Sequence, residues 1–179
     1  MPEYHIYIGA DHRGYKIKEE LFPILSDCHE NVVVEDLGAE AYNEDDDFND
    51  PAIAVAQAVA NDEHGLGVLL CGSAHGVTMQ ANRIRGARAI NAPNEASAKI
   101  GREHDHANIL CLPADELDAD SAEKIIKAFC HTRPSQDERY VRRVKRLDEG
   151  EKDEEGEVEF GFSVKTFKDD GEAEDSEEE

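Results

Sequence analysis

A cysteine at the end of an apolar run is the residue of this sequence best placed to do chemistry. The uncharged run Gly67–Leu70 precedes Cys71, and the small residues of Gly72–Gly76 follow it. Such a run is typical of a buried strand in a parallel sheet, and the helical pattern that starts at Val77 places the turn at a helix N-terminus. A helix N-terminus favours anions and lowers a thiol pKa from about 8.5. The pattern predicts an anion-binding turn with a reactive thiol; a small buried cysteine that only closes a core strand is the alternative.

Other polar side chains gather where predicted strands begin or end. Ala10–Tyr15 follows the first strand, and Arg102–Asn108 leads into the fifth. Because ligands of open α/β sheets bind outside the carboxyl ends of strands, we expect these side chains, apart from Asn108, to face one crevice with Cys71. Asp11 has the alternative role of capping the first helix, and His104 that of an ordinary loop histidine.

The elements that must position these residues alternate between strand and helix. Strands are predicted at residues 4–9, 32–36, 67–71, 86–91 and 108–112, with helices between them and a last, arginine-rich helix at residues 134–147. Strands separated by helices indicate a parallel sheet with right-handed crossovers. The predicted fold class is therefore α/β, a Rossmann-like three-layer sandwich with a five-stranded parallel sheet and helices on both faces.

Composition and charge exclude several classes of protein. The 179 residues are 39% hydrophobic and carry a formal net charge of −23 at pH 7. An acidic body disfavours nucleic-acid binding, which needs a basic footprint, and no apolar run approaches the roughly 18 residues of a membrane span. His104 and His106 have no third ligand at a recognised spacing, so no metal is expected. The sequence begins in a strand-like run without a leader, which together with four widely spaced cysteines favours reduced thiols and a cytoplasmic location.

The acidic charge is concentrated at the C-terminus. Residues 148–179 contain sixteen Asp or Glu against three Lys, whereas residues 1–147 contain twenty-six against sixteen Lys or Arg. A strongly acidic run repels itself and cannot bury enough apolar surface to fold. We therefore predict a folded domain at 1–147 and a mostly disordered acidic tail at 148–179. Within the tail, an apolar alternation at 160–167 could form one short strand or dock on the body.

The residues that could do chemistry resemble those of the type B ribose-5-phosphate isomerases and the related galactose-6-phosphate isomerase subunits. The matching motifs run in order along residues 4 to 147; they are Gly9–Tyr15, Cys71–Gly76, Ala81–Arg83, Gly86–Ala89, Arg102–His104 and Arg139–Val144. The resemblance implies aldose–ketose isomerisation of a small sugar phosphate through a cis-enediolate, without a cofactor. It also implies a homodimer or a tetramer of dimers, with sites at the dimer interface and His104 supplied by the neighbouring subunit.

The same resemblance implies a role for each candidate residue. Cys71 is the base that moves a proton between C1 and C2, and Asp11 supports it. Some relatives replace this cysteine with a carboxylate at the position of Val77, so proton transfer here depends on Cys71. Ser73 orients the substrate, and His104 assists ring opening. The implied substrate-binding and phosphate-binding residues are His12, Gly72, Ala74, His75, Gly76, Asp105, Arg139 and Arg143.

Several positions depart from the family pattern, and they cluster around the substrate. Asp105 replaces an asparagine that hydrogen-bonds the enediolate, and Asp115 replaces a phosphate-binding arginine. Ala74 stands at a glycine position, and Phe48 stands at a tyrosine position. The departures leave two alternatives open: an isomerase of a different sugar phosphate, and a non-catalytic paralogue that binds sugar phosphates or acts as a scaffold.

Overall fold

Strands and helices alternate along the chain, as the sequence pattern predicts. The computed structural model describes residues 4–26 and 32–149. The elements are β1 (Tyr4–Ala10), α1 (His12–Ser26), β2 (Val32–Asp36), α2 (Asn49–Ala60), β3 (Leu66–Cys71), α3 (His75–Ala81), β4 (Ala89–Asn91), α4 (Glu95–His104), β5 (Ile109–Pro113), α5 (Ala119–His131) and α6 (Glu138–Glu149). No helix among these residues is long and apolar enough to cross a membrane.

The five strands form one parallel sheet in the order β2-β1-β3-β5-β4, which confirms the predicted α/β fold class. β3 lies at the centre, and every one of its residues is buried. Since side chains alternate across a strand, β3 feeds two cores. Leu70 packs in the core that includes α1, α4 and α5, whereas Leu69 and Cys71 pack in the core that includes α2 and α3. The sheet therefore has helices on both faces.

Some element bounds differ from the predicted ones, and each difference has a local cause. β4 begins at Ala89 rather than at residue 86, because Gly86 has a φ of +90° that a strand does not tolerate. α6 begins at Glu138 rather than at residue 134, since residues 134–137 are irregular, and it ends at Glu149. The rest of the predicted acidic tail, with the apolar alternation at 160–167, lies outside the described residues.

The first turn of α1 lies directly against the end of β3. A Cβ placed on Gly14 would be 2.4 Å from the carbonyl oxygen of Leu70, so only a glycine permits this approach. The Asp11 amide donates to the same carbonyl at 3.2 Å. One Asp11 carboxylate oxygen accepts the amides of Arg13 and Gly14, both at 3.0 Å. Asp11 therefore does cap α1, and the cap holds its carboxylate beside Cys71.

This contact predicts that Gly14→Ala destabilises the fold. The added methyl group must displace the backbone of β3, and overpacking of this kind costs about 3 kcal/mol of the free energy of unfolding. Urea denaturation followed by circular dichroism measures the change. Lys16→Ala is the matched control, because the Lys16 side chain is 89% exposed on the same helix; we expect it to change the stability by less than about 0.5 kcal/mol. Equal stabilities of the two variants would contradict the prediction.

Candidate active site

The Cys71 side chain lies at the carboxyl end of the central strand with only 8% of the residue exposed. Its thiol hydrogen-bonds the Asp11 carboxylate, and the backbone N–H groups of Ala74 and Gly72 donate to its sulfur. Burial, together with the Asp11 charge, raises the pKa of Cys71 to about 12, against the smaller lowering effect of the two N–H groups. The lowered thiol pKa expected from a helix N-terminus is therefore wrong, because desolvation outweighs the turn's dipoles.

The turn after Cys71 accommodates an alanine at its tightest point. Ala74 has φ 60° and ψ −1°, the left-handed conformation, and is fully buried at the N-cap of α3. The neighbouring Ser73 and His75 are exposed, and the Ser73 carbonyl accepts the side-chain amide of Asn91 at 3.0 Å. The thiol thus forms the base of the site, with the Ser73 hydroxyl and His75 toward the opening. Val77, the first buried residue of α3, offers no carboxylate.

His12, which follows Asp11, has a partner that the sequence did not predict. Its Nδ1 lies 2.6 Å from a carboxylate oxygen of Asp46, in the acidic loop before α2. This hydrogen bond raises the pKa of His12 above its ordinary value and favours the imidazolium form. The only sequence signal was the acidic run at residues 44–47, which reads as a solvated loop. The pair supplies a cation near the thiol, as anion binding requires.

His104 lies in a second cluster of predicted site residues, at the end of α4. Its ring stacks on that of Tyr140 in α6, with centroids 4.3 Å apart and an interplanar angle of 7°. The Arg139 guanidinium lies 4.5 Å from the Tyr140 ring centroid and donates to its hydroxyl at 2.9 Å. Arg143, one turn further along α6, and Asp105, directly after α4, are both exposed. Tyr140 was not among the predicted site residues.

The loop between α5 and α6 holds this second cluster together. His106 Nε2 donates to the carbonyl of Ser135 at 2.9 Å, and the Ser135 amide donates to the carbonyl of Glu103 at 2.9 Å. These two bonds tie the segment before α6 to the end of α4. His106 therefore has a structural role, and α6 reaches the His104 ring because of it.

The two clusters lie at opposite ends of the strands: one at the carboxyl end of β3, the other at its amino end. The Gly67 amide, at the start of β3, bonds the carbonyl of Asn108, which follows the His104 segment, whereas Cys71 is the last residue of β3. A strand rises about 3.3 Å per residue, so about 13 Å of β3 separates the two ends. The expected single crevice within one chain is therefore wrong. We call the Asp11, His12 and Cys71–Gly76 cluster the thiol half-site, and the His104, Asp105, Arg139 and Arg143 cluster the histidine half-site.

Similar proteins match this chain over both half-sites. The family model described as "Ribose/Galactose Isomerase" matches residues 6–147. This chain belongs to the ribose/galactose isomerase family. A probable ribose-5-phosphate isomerase B of Mycoplasma genitalium is 34% identical over 153 residues, which is 85% of this chain and 99% of that protein.

Two solved structures of family members share the fold. A crystal structure of a ribose 5-phosphate isomerase from Thermotoga maritima has a TM-score of 0.75 at 34% identity and covers 82% of this chain and 98% of its own. A ribose-5-phosphate isomerase B from Mycoplasma genitalium, crystallised with bound ribulose 5-phosphate, has a TM-score of 0.76 at 33% identity and covers 83% and 96%. Both half-sites therefore lie within the part of the chain that the family shares.

The Cys71–Asp11 contact predicts how the thiol responds to a change of charge. Asp11→Asn keeps a good helix cap and removes the negative charge that raises the thiol pKa. We expect iodoacetamide to alkylate Cys71 at pH 9 about tenfold faster in this variant, because each unit of lowered pKa gives tenfold more thiolate. Peptide mass spectrometry measures the rate at Cys71 separately from the other cysteines. Asp45→Asn, an exposed change of equal charge, is the control; an unchanged or slower rate in Asp11→Asn would refute the electrostatic coupling.

Proposed function

We propose that this protein is an aldose–ketose isomerase that interconverts ribose 5-phosphate and ribulose 5-phosphate. The observation that carries the proposal is the buried Cys71 thiol in contact with Asp11 at the end of β3, within a chain of the ribose/galactose isomerase family. Family members of known structure are ribose 5-phosphate isomerases, one of them with bound ribulose 5-phosphate. Aldose–ketose isomerisation needs one base that serves both C1 and C2, and a single buried thiol meets that requirement.

In this mechanism Cys71 is the base, and Asp11 accepts the thiol proton. The Asp11 carboxylate already accepts a hydrogen bond from the thiol, so the proton moves along an existing contact when the substrate binds. The resulting thiolate removes the proton from C2 of the open-chain aldose and returns it to C1 of the enediolate, while the hydroxyl proton moves from O2 to O1. The raised pKa of Cys71 keeps the thiol protonated until the proton transfer to Asp11 takes place.

The turn after Cys71 stabilises the enediolate. We propose that amides of the Gly72–Gly76 turn, two of which donate to the Cys71 sulfur, also face the position at which negative charge develops. Preorganised donors of this kind stabilise an oxyanion in a site shielded from water. Ser73, exposed beside the thiol, orients the sugar hydroxyls. His75 lines the opening, and buried Ala74 sets the curvature of the turn.

We further propose that a homodimer, or a tetramer of dimers, builds each complete site from both half-sites. His104 opens the sugar ring, Asp105 contacts the substrate, and Arg139 and Arg143 bind its phosphate together with His12. Each half-site alone lacks part of this set, and about 13 Å of β3 keeps them apart in one chain. A two-fold axis that brings the thiol half-site of one copy to the histidine half-site of its partner creates two equal sites.

We also assign the protein to the cytoplasm. Cys71 and Cys111 form no disulfide, which suits a reducing compartment. Cys28 lies outside the described residues. Sugar phosphates, the substrates proposed here, are intracellular metabolites of the same compartment.

The thiol assignment predicts that Cys71→Ala abolishes isomerisation. Removing a catalytic base slows the reaction by about a hundredfold to ten-thousandfold. Conversion of ribose 5-phosphate to ribulose 5-phosphate, followed by absorbance of the ketose, measures kcat and KM, and a panel of four- to six-carbon aldose phosphates measures selectivity. Cys130→Ala, which removes a thiol outside both half-sites, keeps the activity. Equally slow conversion of the whole panel by wild type and Cys71→Ala would refute the enzyme assignment and favour a sugar-phosphate-binding paralogue.

The shared site predicts complementation between two inactive variants. Cys71→Ala and His104→Ala are each expected to be inactive alone. Refolding them together at equal amounts pairs the chains at random, and about a quarter of the wild-type activity returns, because half of the dimers carry one intact site of two. Mixing Cys71→Ala with Asp11→Ala is the control, since both changes fall in the same half-site. No recovery in the first mixture, or equal recovery in both, would contradict a site shared between chains.

A further inference from the structure

We propose that Arg13 binds the phosphate group of the substrate at the rim of the thiol half-site, and that Asp115 positions it for that role. The inference rests on the proposed function and adds a residue that determines specificity for phosphorylated sugars. It also assigns a purpose to the carboxylate at Asp115. Arg13 comes from the first turn of α1, beside His12, and Asp115 from the turn after β5.

The Arg13 guanidinium lies flat against the turn that follows Cys71. A Cβ placed on Gly72 would be 2.4 Å from both Cζ and Nε of Arg13, so the absence of a side chain at Gly72 makes room for the group. This contact places a permanent positive charge next to the backbone that surrounds the thiol. Arg13 at the rim and His12 within the thiol half-site are thus adjacent cations on one helix turn.

Asp115 fixes the guanidinium in that place. Its carboxylate accepts a hydrogen bond from Nη2 of Arg13, and its own amide donates to the carbonyl of Gly72 at 3.1 Å. Both residues of this ion pair therefore contact Gly72: Asp115 through its amide and Arg13 through its guanidinium. Holding a long side chain in its binding conformation lowers the entropy cost of binding. Asp115 thus orients the Arg13 guanidinium, and the positive charge of Arg13 offsets the negative charge of Asp115.

The position and exposure of Arg13 match the phosphate end of the sugar. The reacting carbons must reach the thiol of Cys71, which is 8% exposed, so the opposite end of the sugar lies toward the opening. The Arg13 side chain is 52% exposed there. Within the described residues, the Arg13 side chain donates to Asp115 through Nη2. The N–H groups at the end of the guanidinium, on Nη1 and Nη2, can donate to two oxygens of a phosphate.

The kinetic test compares Arg13→Ala with Lys16→Ala, which removes an equal charge from the exposed face of the same helix. We expect Arg13→Ala to raise KM for ribose 5-phosphate about 30-fold with kcat changed less than about threefold, since the contact is made in ground and transition states alike. The inhibition constant of inorganic phosphate rises by a similar factor, and Arg13→Lys recovers part of the affinity. Lys16→Ala leaves all three constants unchanged. A loss confined to kcat, or no change, would overturn the proposal.

A second pair of variants tests Asp115. Asp115→Asn keeps the size of the side chain and loses the ion pair, so we expect a smaller rise in KM than in Arg13→Ala. The double variant Arg13→Ala with Asp115→Arg supplies a guanidinium from the turn after β5, and we expect it to bind phosphate more tightly than Arg13→Ala alone. Failure of this rescue, with circular dichroism showing a folded protein, would mean that charge at this rim does not bind phosphate.

The experiment separates failure of this inference from failure of the proposed function. Isothermal titration of wild type and Arg13→Ala with ribose 5-phosphate and with inorganic phosphate measures binding without turnover. An inactive wild type whose phosphate binding still depends on Arg13 would refute the isomerase activity and keep the phosphate site. An active wild type whose phosphate binding is the same in Arg13→Ala would refute the phosphate site alone.

Discussion

The close approach of α1 to the carboxyl end of β3 is the contact on which the thiol half-site depends. Gly14 brings the helix backbone against the Leu70 carbonyl, and the cap formed by Asp11 fixes where the helix begins. As a consequence, the Asp11 carboxylate reaches Cys71, and the Arg13 guanidinium reaches Gly72 in the turn that follows. A larger residue between helix and strand would move both side chains together, so packing in the core and the contacts of the site share one constraint.

Desolvation dominates the electrostatics of this site. Burial of Cys71 in the core beside α2 and α3 favours the neutral thiol more strongly than the two amides of the turn favour the thiolate. The free protein therefore holds Cys71 as a neutral thiol beside the Asp11 carboxylate. Around this neutral centre, His12 and Arg13 each pair with a carboxylate from a distant loop. Cations held in this way keep their geometry in a chain whose formal net charge is −23.

The sequence predicted the sheet and the thiol more accurately than it predicted their partners. The run ending at Cys71 is apolar because β3 is covered on both faces, so periodicity alone identified it. Asp11 combines the two roles considered for it, capping and contact with the thiol, because the cap lies beside the strand end. The partners Asp46 and Asp115 are 34 and 102 residues from the cations they bind, and no local pattern encodes such pairs. The opposite positions of Cys71 and His104 follow from strand direction, since the loop into β5 lies at the amino end.

In the proposed dimer, the division of the site between the two ends of the strands makes activity a property of a pair of chains. Each copy carries the same large negative charge, so two copies repel one another at long range, and dissolved salt weakens this repulsion. The number of complete sites then depends on protein concentration and on ionic strength. In the proposed dimer, a concentrated and salt-rich solution would assemble sites that dilution into low salt would take apart.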